Sequence, residues 1–335
     1  MIKEQNSVHQ TDISSASSSG TSNAKGIKLK KDWSSVRDVR EGTEGTQVFG
    51  TRTLDKKDNV WNHNAWDNVE WDEEQEKSAQ DKVRKQASNP MPLEEQEKYH
   101  REAAEFWNTF YRHNVNKFFK DRQWLGIEFP ELIAATKLNA GPKKIFEIGC
   151  GAGNALFPLL TENENPELFI YACDFSSNAI DVVINNKNYD PKKCKAFIWD
   201  LTSTEIPEYI KPASLDLVVL IFVMSAIHPQ DWNQVVKNVY KMLKPGGLVL
   251  FRDYGRYDMA QLRFKEGRML SDNFYVRGDG TRVYFFTSEE IENLWGTKFI
   301  IEQNAIDRRL IVNRHRRLQM YRIWLQGKFR KVDNK

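Results

Sequence analysis

Lys144-Ile-Phe-Glu-Ile-Gly-Cys-Gly-Ala-Gly-Asn154 begins as an apolar strand, carries an acid at Glu147 and runs out into glycines at positions 149, 151 and 153. Glycines there let the backbone leave the strand in a tight turn and approach a ligand closely. The next apolar stretch, residues 168–174, closes on Asp174, whose carboxylate can accept hydrogen bonds from both hydroxyls of a ribose. Residues 195–200 follow the same plan and end on Asp200. Three strands therefore present acids along one edge, which describes a nucleoside-binding crevice. A glycine run alone also occurs as a plain strand-to-helix connection, so the weight rests on the acids.

That pattern suits S-adenosylmethionine: one acid near the methionine amino group, one on the ribose, and one near the adenine. A dinucleotide-dependent oxidoreductase, the main rival, would usually carry an apolar residue where Glu147 stands. Strand and helix signals continue to alternate as far as residue 254, the sequence signature of a parallel sheet covered on both faces. The expected fold class is α/β, a Rossmann-like, mostly parallel seven-stranded sheet. Two late strands, near residues 299–312 and 317–329, have a short link and predict a C-terminal antiparallel hairpin.

Three regions are expected. Residues 1–45 are rich in Ser, Gly, Thr, Lys and Asn and lack the apolar groups needed to offset ordering, which predicts a disordered tail. Residues 46–140 form a Trp-rich, helical, substrate-binding extension, with a charged helix near residues 72–86 and a second helical stretch over 93–114. Residues 141–330 form the catalytic domain, interrupted by a polar and aromatic insertion at 255–286.

The chain has 335 residues, 40% hydrophobic and 28% charged, enough for a packed domain with material to spare. No apolar run reaches the roughly 18–20 residues of a membrane span, and the start lacks the features of a secretory or transit leader, so a cytoplasmic protein without membrane association is expected. Cys150, Cys173 and Cys194 form no Cys-x-x-Cys pair and are read as packed thiols, with no metal site. The net charge of +3 conceals an acidic stretch over 67–105 and a basic one from Arg308 onward. The basic run suits a polyanion partner, and equally a solvated face on a terminal hairpin.

Several longer strings carry a resemblance. Residues 146–154, Cys173-Asp-Phe-Ser-Ser177 and Leu243-Lys-Pro-Gly-Gly247 resemble class I S-adenosylmethionine-dependent methyltransferases. Phe118-Phe-Lys-Asp-Arg-Gln-Trp124, Arg252-Asp-Tyr-Gly-Arg-Tyr-Asp258 and Asn273-Phe-Tyr-Val-Arg-Gly-Asp-Gly-Thr-Arg282 are similar to the tRNA 3-methylcytidine methyltransferases. His63-Asn-Ala-Trp-Asp-Asn-Val-Glu-Trp71 resembles the branch acting on threonine tRNAs; related members act on serine or arginine tRNAs. The resemblance implies S-adenosyl-L-methionine as cofactor, cytidine 32 of the tRNA anticodon arm as target, and in some members a protein partner for tRNA selection. It places Trp107, Tyr111, Gly149, Asp174, Asp200, Leu201 and Ile221 around the cofactor, with Gly151 in the same loop and Glu147 acting through water on the methionine ammonium.

Cytosine N3 bears a lone pair and no proton, so attack on a sulfonium methyl requires orientation rather than a strong base. Arg252, Asp253 and Arg256 are the expected shapers of the target pocket, with Asp279 a weaker candidate; Arg252 and Asp253 could instead simply pair with each other. Phe118, Phe119, Lys120 and Arg122 combine aromatic faces with cations and are candidates for RNA contact, although adjacent Phe residues more often belong to a core. Arg308 and Arg309 are candidate phosphate ligands. Two other readings share the fold: a small-molecule or protein methyltransferase, and an RNA-binding adaptor with an inactive cofactor pocket. Intact Gly149, Gly151, Asp174 and Asp200 disfavour the adaptor.

Overall fold

The computed structural model describes residues 49–122 and 124–332, so the expected tail at 1–45 lies outside the described residues. Five parallel strands form the centre: β2 (Lys143–Ile148), β3 (Leu168–Asp174), β4 (Cys194–Ile198), β5 (Leu215–Ile221) and β6 (Leu243–Tyr254). The long strands β10 (Phe299–Asn313) and β11 (Leu318–Lys331) then pair antiparallel, with β11 against β6. An eighth strand adds to the expected seven. The three-residue β1 (Ala65–Asp67) pairs with β10 through Trp66↔Leu310, giving the order β1-β10-β11-β6-β5-β2-β3-β4.

Period-two alternation sorts the strands into two buried layers. Val218, Leu220, Val249 and Phe251 face α8 (Trp232–Met242) and α10 (Ser288–Trp295). Leu217, Val219, Leu248 and Leu250 face the opposite layer of α4 (Leu125–Glu128), α5 (Pro130–Ala135), α6 (Leu156–Glu162) and α7 (Ser177–Ile184). Both layers end at the carboxyl edge of the parallel strands, where a doubly wound sheet opens its crevice.

After β1 the extension continues with α1 (Glu73–Ala87), which starts where Asp72 and Gln75 form a reciprocal cap and three glutamates complement the helix dipole. The single helical stretch expected over 93–114 is broken at Glu102 (φ −99°, ψ 17°) into α2 (Leu93–Arg101) and α3 (Ala103–Asn114). The insertion folds as a small antiparallel sheet of β7 (Met269–Ser271), β8 (Phe274–Val276) and β9 (Arg282–Tyr284), preceded by α9 (Met259–Leu262). Gln86 of α1 fastens extension to insertion. Its buried amide donates to the carbonyls of Gln261 and Phe264 and accepts from the Tyr275 hydroxyl at 2.8 Å.

The Trp-rich segment packs on the β10–β11 hairpin. Trp66 is 3% exposed, packs with Leu310 and Val312, and donates its indole N–H to the Val60 carbonyl at 2.8 Å. Trp71 packs edge-on to Tyr321 and parallel to Tyr257.

Candidate active site

Gly149, Gly151 and Gly153 follow β2 with φ of +66°, +54° and +81°. A Cβ at Gly149 would collide with Val223, and one at Gly151 with the Tyr111 hydroxyl, so backbone from the loop forms part of a cavity wall. The cavity has a volume of about 810 Å³ and opens at the carboxyl ends of the strands. Every expected cofactor residue except Glu147 lines it. Asp174 stands at the end of β3, with Oδ2 accepting from the Gly151 N–H and Oδ1 from the Ser176 N–H, each at 3.0 Å. Its burial pushes the pKa up to about 6, against the pull of those backbone donors. Asp200 is oriented by Thr202, whose N–H and hydroxyl both donate to Oδ1 at 2.8 Å. The Leu201 carbonyl accepts from Asn238, which fixes the turn that follows β4. Trp107 and Tyr111 come from α3 with ring centroids 6.1 Å apart and planes nearly parallel.

Glu147 lies behind this wall. It is 6% exposed, its Oε2 has no hydrogen-bond partner, and burial raises its pKa to about 8, opposed in part by the Arg122 guanidinium. An orphaned buried acceptor beside a glycine cradle is the structural need that a methionine ammonium would satisfy.

Beside the α3 residues of the cofactor wall, Phe118, Phe119, Lys120 and Arg122 line the same cavity. Phe118 is 59% exposed and meets Phe110 and Phe119 edge-on. Asn154 clasps this segment to the glycine loop: its amide donates to the Phe119 carbonyl and to Asp121 Oδ1, and its own carbonyl accepts from the Arg122 N–H at 2.8 Å. The Arg122 guanidinium lies 5.2 Å from the Phe222 ring centroid.

A family model for a methyltransferase domain matches residues 146–249. The chain is 49% identical to the Schizosaccharomyces pombe tRNA N(3)-methylcytidine methyltransferase trm140 over 307 residues, 90% of this chain and 97% of that protein. It belongs to the tRNA N3-cytidine methyltransferases. The Danio rerio tRNA N(3)-cytidine methyltransferase METTL2 is 49% identical over 316 residues, covering 85% of this chain and 89% of its own. The Saccharomyces cerevisiae tRNA(Thr) (cytosine(32)-N(3))-methyltransferase is 44% identical over 300 residues; this chain spans 48% of that longer protein.

The cofactor of this methyltransferase is S-adenosylmethionine, and the residues present fit it: the glycine cradle, the orphaned Glu147 oxygen and the carboxylates at Asp174 and Asp200. Glu147 also sets a pH dependence. Its raised folded pKa means that the stability it contributes is fully present below its unfolded value near 4.5 and is lost as pH rises through about 8. Glu147→Gln is therefore expected to raise the melting temperature of the cofactor-free enzyme at pH 8.5 more than at pH 5.5, while weakening S-adenosylhomocysteine binding. Equal shifts at both pH values in thermal melts would contradict the buried, strained carboxylate.

Three of the expected target-pocket residues do not reach the cavity. Successive residues of β6 alternate faces, so Arg252 and Asp253 point apart and do not pair with each other. The Arg252 guanidinium donates to Asp307 and to Gln326 Oε1, and lies 5.1 Å and 5.0 Å from the rings of Trp124 and Trp324. Asp253 is fully buried and accepts from the Ser225 N–H at 2.9 Å and the Tyr254 N–H at 2.8 Å, which makes it a support for the wall rather than its surface. Arg256 is held by the Phe285 carbonyl and Glu290.

The wall itself is built from Tyr254, Phe222, Arg277 and Asp279. Phe222 adopts φ +60°, a conformation strained for an aromatic residue and concentrated at functional sites. Its ring is 4.9 Å from that of Tyr254, and the Arg277 guanidinium lies 5.6 Å from the Tyr254 centroid. Phe222 was detectable only as the residue following a strand whose end faces the crevice. His100 and His228 also line the cavity, with rings 4.5 Å apart, and Arg282 donates to His100 Nδ1 at 3.2 Å.

Of the two candidate phosphate ligands, Arg309 is engaged within the fold and Arg308 is partly open. Arg309 forms ion pairs with Asp307, Asp67 and Glu128, and Arg308 is half-buried with its Nε out of contact with solvent.

Proposed function

We propose that this enzyme methylates N3 of cytidine 32 in the anticodon loop of threonine tRNAs, in the cytoplasm. The observation that carries the reading is the single cavity that joins the Asp174 and Asp200 wall to the aromatic and cationic wall of Phe118, Arg122, Phe222 and Tyr254. The name of the Saccharomyces cerevisiae relative supports the position and the threonine tRNA.

N3 lies on the Watson–Crick edge, so the base must leave its stack to be reached. Bound S-adenosylmethionine supplies an electrophilic methyl group on a sulfonium. The chain's part is to seat the base against Phe222 and Tyr254, keep its N3 lone pair directed toward the cofactor wall, and exclude water. Methylation places positive charge on the ring, and the two aromatic faces favour a cation. Asp279 adds a carboxylate to the same wall, oriented by the Thr281 N–H and hydroxyl.

Incubation of the purified enzyme with individually purified tRNAs, followed by nucleoside mass spectrometry, tests the reading. New 3-methylcytidine in threonine tRNA, mapped to position 32, is the expected result; methylation elsewhere, or none with active cofactor binding, would refute it. Repeating the reaction with cell extract added reads out a protein partner for tRNA selection as a gain on serine or arginine tRNAs.

A further inference from the structure

The basic run after Arg308 divides sharply once its partners are known. Arg309 is held by three carboxylates, Arg322 by Asp258, Lys328 by Glu131 and Arg330 by Glu302, while Lys331 donates to the carbonyls of Tyr240 and Leu243. These cations are internal fasteners. Arg314, His315, Arg316 and Arg317, at the tip of the β10–β11 hairpin, are all exposed, and none of the three arginines has a carboxylate partner among the described residues.

This tip is held by a closed turn and a ring contact. Asn313 pairs with Leu318 directly beneath it, and Asn313 Oδ1 accepts from the Arg316 N–H at 2.9 Å. Arg317 takes φ +52° and stacks over Trp61 at 4.8 Å, so the Trp-rich segment supports the turn from below. The hairpin also links the tip to the active site, because Arg322 and Trp324 on β11 line the cavity. From Trp324 to Arg317 an extended strand covers roughly 23 Å. Clustered arginines without carboxylate partners at the end of a long paired hairpin suit the phosphates of a double-stranded backbone, which offers repeated anionic oxygens and needs no base-specific geometry.

We propose that Arg314, Arg316 and Arg317 form a phosphate-binding surface for the RNA helix that leads away from the target loop, so that the hairpin grips the tRNA at a distance from the reacting base. The proposal rests on the tRNA methyltransferase reading above and adds the surface that holds the stem.

The test compares the wild-type enzyme with Arg314→Ala/Arg316→Ala, and with Arg314→Glu/Arg316→Glu, after melting curves have verified folding. Filter binding of full-length tRNA across a salt series is expected to show the slope of log affinity against log salt reduced by about 1.5 in the alanine variant. KM for tRNA should rise at least fivefold while kcat at saturating tRNA and S-adenosylhomocysteine affinity stay unchanged. A short RNA, the loop closed by two base pairs, cannot reach the tip and should bind both proteins alike. A wild-type slope in both variants, or an equal loss on the short RNA, would overturn the proposal. An unchanged slope with loss of capture of a protein from extract would assign the tip to a protein partner and overturn it too. Wild-type enzyme that binds tRNA with the tip-dependent slope yet forms no 3-methylcytidine would instead sink the reading of the reaction.

Discussion

Asp307→Ala is expected to remove about 3–5 kcal/mol of folding stability, because it strips the counter-charge from a buried guanidinium. The side chains of Arg252 and Asp307 are 5% and 0% exposed, and the indole rings of Trp124 and Trp324 flank the arginine where water would otherwise be. Gln326, the other hydrogen-bond partner, is neutral, and the buried Glu128 carboxylate nearby offsets the charge only in part. Urea denaturation of the single variant and of the double variant Arg252→Met/Asp307→Leu separates charge from packing. Recovery of only part of the loss in the double variant is the expected pattern: an apolar pair avoids the desolvation cost of both ions, but Asp307→Leu also takes a carboxylate from Arg309 and Arg252→Met leaves buried Gln326 without its donor. A loss below about 1 kcal/mol for Asp307→Ala would show that the pair is not desolvated in solution.

For Asp174→Ala the expected loss falls on the cofactor: S-adenosylhomocysteine affinity reduced at least ~100-fold, about 3 kcal/mol, with tRNA affinity nearly unchanged. The carboxylate has two tasks, presenting an acceptor to the cavity and holding the glycine loop through the Gly151 N–H. Asp174→Asn keeps the size of the side chain and one acceptor oxygen, enough for the Gly151 N–H, but turns a donor amide nitrogen toward the Ser176 N–H, so it should hold the loop only in part while losing charge-assisted hydrogen bonds. Calorimetric titration of both variants decides between the tasks. Wild-type affinity in the alanine variant would remove Asp174 from the cofactor site altogether.

What could be read from the sequence follows the range over which each signal acts. Glycines after an apolar strand and acids at strand ends obey local rules, so the loop at 149–153 and the carboxylates at 174 and 200 were legible without any tertiary information. Arg252 and Asp253 were not, because adjacent residues on a strand face opposite layers and the partner of Arg252 arrives on β10, which only the cross-strand register brings near. The same register sorts the basic run. In sequence, Arg309 and Arg316 look alike; in the fold, one sits over Asp307 and the other crowns a turn. The strand β1 escaped notice because three residues are too few to display alternation. The aromatic and cationic wall of the cavity was half legible: Phe118 to Arg122 stood out as a mixture of rings and cations, whereas Phe222 reads as one more apolar residue at the end of a strand.

The pairing of β1 with β10 has a second effect, on the behaviour of the protein among its own copies. A long strand at the border of a sheet offers a row of open amide and carbonyl groups, a template on which another chain can add itself. Ala65–Asp67 covers that row opposite residues 309–311, and the buried indole of Trp66 anchors the cover. The segment that supports the basic hairpin thus also acts as a guard against self-templated association, closing part of the sheet border from within the same molecule.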